Sequence, residues 1–192
     1  RDNATNSGWD FNLNYDQNFN IGTQAVRLGI DFAANRNEEA SVTFVDDEGN
    51  VDFEDSSGNI YYPKWKANLA MRAQVSDFRF TWVINYIGST EQLEAYVDDW
   101  DEAITGASNT CSGPPDDVFC RDYADTDDYW LHSTSLYWYG DTWTLGAGIR
   151  NVFDERPPYV DGTEYTSINR VPIGAGYDLF GRVYFLNLVW RP

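Results

Sequence analysis

The feature that most constrains this 192-residue chain is a strict alternation of apolar and polar residues, repeated along its length. Trp9, Phe11, Leu13 and Tyr15 alternate with Asp10, Asn12, Asn14 and Asp16. Val26, Leu28, Ile30 and Phe32 alternate with Arg27, Gly29, Asp31 and Ala33. Trp65, Ala67, Leu69, Met71 and Ala73 alternate with Lys64, Lys66, Asn68, Arg72 and Gln74, with Ala70 among the polar positions. Phe78, Phe80, Trp82, Ile84 and Tyr86 alternate with Arg79, Thr81, Val83, Asn85 and Ile87, and blurrier versions run over 129–139, 142–153 and 181–190. Period two belongs to strands with two unlike faces and not to helices. The pattern predicts an all-β, antiparallel protein of about seven strands and no helix.

The connections alternate as well. Short polar turns are expected near 17–23, 75–77 and 139–142, and long loops over 36–62, 90–128 and 154–180. Long loops are uncommon in compact domains and are often functional. Charge follows the same division. Of 31 acids, 25 fall in the three long loops against four arginines, so the loops carry a net charge of −21 within a total of −18. That balance argues against nucleic acid, which needs a basic footprint. An aromatic content of 17% argues against disorder. A mean hydropathy of −0.53 with no long apolar run excludes a membrane-spanning helix. Two cysteines are too few for a disulfide scaffold or a four-cysteine zinc site. The segment Arg1–Ser7 lacks the basic and apolar regions of a signal peptide, so a processed product or an internal fragment is expected.

An alternating antiparallel sheet has two common uses. A soluble sandwich packs its apolar face on a second sheet; an outer-membrane barrel presents that face to lipid and lines its lumen with the polar one. Base rate favours the sandwich, and a polar face by itself suits either. The expected strands, at about 10–13 residues, exceed the usual globular 5–6 and match the 9–11 of a tilted membrane strand. Trp9, Tyr15, Trp65, Tyr86, Tyr137, Trp143, Tyr184 and Trp190 fall near strand ends, where aromatic girdles sit, although aromatics favour strands in any case. Short turns on one side and long loops on the other are the membrane-barrel layout.

The C-terminal third carries a resemblance. Gly148-Ile-Arg-Asn151-Val-Phe153-Asp154-Glu-Arg-Pro157-Pro158 resembles the penultimate strand of TonB-dependent outer-membrane receptors, where such a run opens the last surface loop. Tyr177-Asp178-Leu-Phe-Gly181-Arg182 resembles the entry to their final strand, and Pro63-Lys-Trp65-Lys-Ala-Asn-Leu69 an earlier strand start. The resemblance covers most of 62–192, with residues 8–35 fitting only in general pattern. Members commonly end on an aromatic residue; here Trp190 precedes Arg191 and Pro192. The resemblance implies that residues 1–192 are the last seven strands of a 22-stranded transmembrane barrel. It places the C-terminus in the periplasm and the long loops outside a Gram-negative cell. The plug and the segment that contacts the TonB complex would lie upstream. It implies uptake of a scarce nutrient, a siderophore, vitamin or oligosaccharide; an enzyme is not expected, since the residues offer no catalytic constellation. Another outer-membrane barrel (a porin or an autotransporter translocator) and a soluble carbohydrate-binding sandwich are the alternatives.

In an exported loop, Cys111 and Cys120 are candidates for a disulfide, since the periplasm is oxidising. Tyr96, Trp100 and Tyr123 could stack on a nutrient ligand or simply pack their loop. Arg72, Arg79 and Arg150, with Lys64 and Lys66, would face the lumen and contact ligand, plug or one another. The acidic runs Asp46-Asp47-Glu48, Asp98–Glu102 and Asp125–Asp128 read first as solvated surface; divalent cations bridging them to lipopolysaccharide are the sharper reading. No cofactor is expected. His132 is the only histidine and reads as structural, and no nucleophile or metalloprotease motif occurs.

Overall fold

A computed structural model describes residues 3–45, 49–91, 126–160 and 165–192. The strands are β1 (Asn3–Ile21), β2 (Gln24–Val45), β3 (Val51–Asp55), β4 (Trp65–Val75), β5 (Phe78–Ile87), β6 (Tyr129–Tyr139), β7 (Trp143–Arg150), β8 (Ser167–Ile168), β9 (Val171–Pro172) and β10 (Val183–Trp190). There is no helix among the described residues. Eight strands form one antiparallel sheet, seven of them in the order β1-β2-β4-β5-β6-β7-β10 and the eighth, β3, paired to β2 off that path. The described sheet is open, with β1 and β10 at its edges.

Turn geometry sets the register. Gly22–Thr23 and Ser76–Asp77 close two-residue turns whose first residues have φ of 61° and 50°, the positive φ that tight hairpins demand. Residues equidistant from each turn then pair, and opposite residues share a face. One row therefore runs Tyr15, Ile30, Met71, Trp82, Thr134, Ile149, Tyr184 across all seven strands. Its neighbour runs Phe19, Val26, Val75, Phe78, Trp138, Leu145, Leu188. The result is one almost continuous apolar face.

Three expectations about the elements change. The turn near 17–23 shrinks to Gly22–Thr23, because β1 continues to Ile21. The expected loop 36–62 is partly strand: β2 continues to Val45, with β1 on one side and β3 on the other. Glu38 and Glu39 disguise this extension as loop, while Val42-Thr-Phe-Val45 supplies β-formers to pair with Val51–Asp55. The β1–β2 ladder shifts by one residue at Ser7/Gly8, where an added Cβ on Gly8 would lie 2.4 Å from the Arg36 carbonyl oxygen. Within 154–180, β8 and β9 form a small hairpin around Asn169 and Arg170, both at positive φ.

The buried apolar cluster sits at the long-loop end, against the polar face. Ile87, Tyr129 and Leu131 of the sheet meet Ile60, Val160, Tyr165, Ala175 and Tyr177 of the connections. Glu91 N donates to Gly58 O at 2.9 Å, the Thr90 and Thr126 hydroxyls bond at 2.7 Å, and Tyr61 Oη donates to Thr166 O at 3.3 Å, so three connections interlock into a cap.

Candidate functional site: the polar face and its cap

The polar face has two regions. Toward the short turns, Arg27 Nε donates to both carboxylate oxygens of Asp16 at 3.0 Å. Arg72 pairs with Asp31. Arg79 donates to Gln74 Oε1 at 3.3 Å and stacks its guanidinium 5.1 Å from the Tyr139 ring centroid. Arg72, Arg79 and Arg150 share this face, as expected, but they do not converge. Arg72 and Arg79 lie with Arg27 around a recess of 190 Å³, while Arg150 is at the other end, bound to Asp178. Each has its own partner, so they do not form one anion site.

Toward the long loops lies a cavity of 640 Å³ between the sheet and the cap. Two cross-strand rows floor it. One is Asn12, Ala33, Asn68, Asn85, Leu131; the next is Asp10, Asn35, Lys66, Ile87, Tyr129. Asn68 Nδ2 donates to Asn85 Oδ1 at 2.7 Å, and Asn35 Nδ2 to Asp10 Oδ1 at 2.9 Å. Ala175 and Gly176 of the cap roof it. A second recess of 330 Å³ shares Asp10, Asn35 and Lys66 and continues toward Tyr61 and Tyr62. These asparagines were not singled out from the sequence, although the turn at Ser76–Asp77 pairs Asn68 with Asn85 by counting alone.

The two C-terminal motifs, far apart in sequence, meet in a single clamp. Asn151 is fully buried at φ 54°, a conformation asparagine tolerates. Its Oδ1 accepts from Glu155 N at 2.7 Å and its Nδ2 donates to Glu155 O at 2.8 Å, which locks the turn leaving β7. Asp154 Oδ1 accepts from Arg182 N at 2.9 Å at the entry to β10. Gly181 has φ 69°, and a Cβ there would stand 3.2 Å from Asp154 Oδ1. The Asp178 side chain is completely buried; its Oδ1 accepts from Arg150 Nη2 at 2.8 Å and from Phe180 N at 3.3 Å. Phe153, Pro157 and Pro158 lie on the run leaving the clamp, Phe153 with its ring 5.0 Å from His132. Tyr177 packs edge-on against Tyr129 at 5.1 Å. Burial pushes its phenol above the usual tyrosine range, which the Thr126 and Thr90 hydroxyls offset in part.

Of the expected girdle residues, Trp9, Tyr15, Trp65, Tyr86, Trp143, Tyr184 and Trp190 all share the apolar face. Trp143 and Trp190 stack at 5.9 Å near the short turns; Trp65 near the loops carries the Arg36 guanidinium at 5.5 Å. Tyr86 Oη donates to Asp128 Oδ1 at 3.1 Å. Tyr15 proves to lie inside β1 and not at its end, because the strand continues to Ile21. Tyr137 is on the polar face instead: its ring covers Gly146, where a Cβ would come within 2.2 Å of it.

His132 sits on the apolar face with its Nδ1 accepting from Trp82 Nε1 at 3.1 Å. Cys111, Cys120, Tyr96, Trp100 and Tyr123 lie outside the described residues, as do most of the acidic runs. Among the described residues no cluster of three or more histidine, cysteine or carboxylate side chains gathers. Comparison with family profiles, with characterised proteins and with solved structures finds no match to this chain.

Proposed function

We propose that this chain is a wall segment of an outer-membrane, TonB-dependent transporter. Its apolar face meets lipid, its polar face lines the lumen, and its long connections face outside the cell. The observation that carries the reading is the apolar face itself. Leu13, Leu186 and Trp190 stand 57%, 82% and 60% exposed on it, while the buried apolar cluster of the described residues is on the opposite side. A sandwich would reverse that arrangement. Leaving a leucine-sized side chain in water costs about 1.5–3 kcal/mol, and Phe80, Leu136 and Leu145 on the inner strands repeat the exposure. Lipid removes the cost without a second sheet. The unprotected edges of β1 and β10 support further strands on either side, since an open edge is not tolerated in lipid. The clamp between Asn151–Asp154 and Asp178–Arg182 supports the family resemblance, because it gives both motifs a joint structural task. Under this reading the segment works passively. Its cap captures ligand at the outer face, the wall holds an upstream plug, and TonB supplies energy from the inner-membrane proton gradient. Divalent cations and lipopolysaccharide remain the proposed partners of the acidic loops.

The full-length gene product tests the reading. It is expected in the outer-membrane fraction, with gel migration that changes on heating. L69K, on the apolar face in mid-strand, is expected to lose about 2–4 kcal/mol in a bilayer and to deplete the heat-modifiable species. N68K, one residue away on the polar face, is expected to leave it intact. Equal tolerance of both, or recovery in a soluble fraction, would overturn the barrel reading. Uptake that continues after collapse of the proton gradient would overturn the TonB-dependent one.

A further inference from the structure

We propose that the cavity beneath the cap binds a neutral, polyhydroxylated ligand of the saccharide class. This rests on the transporter reading and narrows its substrate.

The floor of the cavity is rich in amides. Asn12, Asn68 and Asn85 share one row, and Asn35 stands in the next. A carboxamide offers a donor and an acceptor side by side, which matches the paired hydroxyls of a sugar ring. The Asn68–Asn85 bond uses one donor and one acceptor. Among the described residues the rest of both groups has no protein partner, and neither has Asn12. Ala33 separates Asn12 from Asn68 and leaves a gap of two strand spacings, ~9.6 Å, wide enough for a ring between them. Ile87, Leu131 and Ala175 supply the apolar surface that the C–H faces of a sugar need. The 640 Å³ volume falls in the ordinary range for small-molecule sites.

Charge excludes the main competitor. The charged groups of the cavity floor offset one another, since Asp10 and Lys66 stand in one cross-strand row. The nearest guanidinium, that of Arg150, is already committed to the Asp178 carboxylate. A trianionic iron chelate would therefore find a single ammonium, that of Lys66, in a row it shares with Asp10, and no cluster of cations to match its charge, whereas a neutral ligand needs none.

The test uses the full-length protein, purified in detergent and checked for heat-modifiable migration. Titration calorimetry is run with neutral tetrasaccharides of glucose, xylose and mannose, and with a trianionic ferric tris-catecholate. Saturable binding of at least one tetrasaccharide is expected, with tenfold or greater weakening in N68A/N85A and, independently, in N12A. No saturation by any of the three sugars in heat-modifiable protein overturns the proposal. So does binding that the asparagine variants leave unchanged, or binding of the catecholate in place of a sugar. Heat-modifiable migration reports on the barrel reading alone, so failure of that reading is distinguishable from failure of this one.

Discussion

The Arg150–Asp178 pair makes an asymmetric prediction. The Asp178 side chain has no exposure, while that of Arg150 is 49% exposed. In D178A the guanidinium is left behind at a site water reaches. The loss is one charge-assisted hydrogen bond and the long 3.3 Å bond from Phe180 N, about 2 kcal/mol in all. In R150A the group left behind is a carboxylate with no access to water and a second oxygen, Oδ2, that has no partner among the described residues. Breaking a buried pair from that side costs about 3–5 kcal/mol. R150A should therefore be the worse variant by at least ~1 kcal/mol, and R150A/D178A should resemble D178A, since removing the carboxylate also removes the stranded charge. Hydrogen exchange of amides across the clamp and cap in the full-length protein reads these values. Good reporters are Val160 N, bonded to Arg170 O at 2.8 Å, and Arg182 N, bonded to Asp154 at 2.9 Å. At 1.4 kcal/mol per tenfold, D178A should speed local opening about 30-fold and R150A more than 100-fold. Equal effects of the two single variants, or additive effects in the double variant, would refute the reasoning.

Three further outcomes are expected. N151A should cost about 3 kcal/mol, from a strained positive φ and two lost bonds to Glu155; N151G should recover the strain component, and exchange at Glu155 N is the readout. G146A should lower the yield of heat-modifiable protein, because its Cβ would strike the Tyr137 ring; Y137A/G146A should restore it, and failure to do so would place the fault in the backbone. The cap should loosen above pH 10. Tyr177 titrates above its ordinary value in the closed cap, so the opened state gives up its proton first and stability falls as pH rises from about 10 toward the folded pKa. Limited proteolysis against pH should show this loosening, and Y177F should weaken it.

How much of this was legible in advance follows from the range of each interaction. Alternation is a local property, so β4, β5 and β6 could be placed almost to the residue from Trp65, Phe78 and Tyr129 onward. Two-residue turns then carry local pattern into register, which is why the polar face that holds Arg72, Arg79 and Arg150 could be named beforehand. Charge in the long connections was legible for the same reason, since it needs only counting. The β2 extension was hidden because Glu38 and Glu39 break the pattern, and only pairing with β1 and β3 holds that segment extended. Tyr137 was misassigned because alternation is blurred in β6, and only Gly146 on the adjacent strand shows which face its ring covers. Asn151, Asp154, Asp178 and Gly181 could be picked out as motif residues, but nothing local says that Asp154 reaches Arg182 or that Arg150 reaches Asp178. The sequence by itself thus determined the central strands, their register and the division into an apolar and a polar face. The clamp, the cap and the cavity between them were decided by tertiary structure alone, because irregular segments have no period and meet only where the finished sheet brings their ends together.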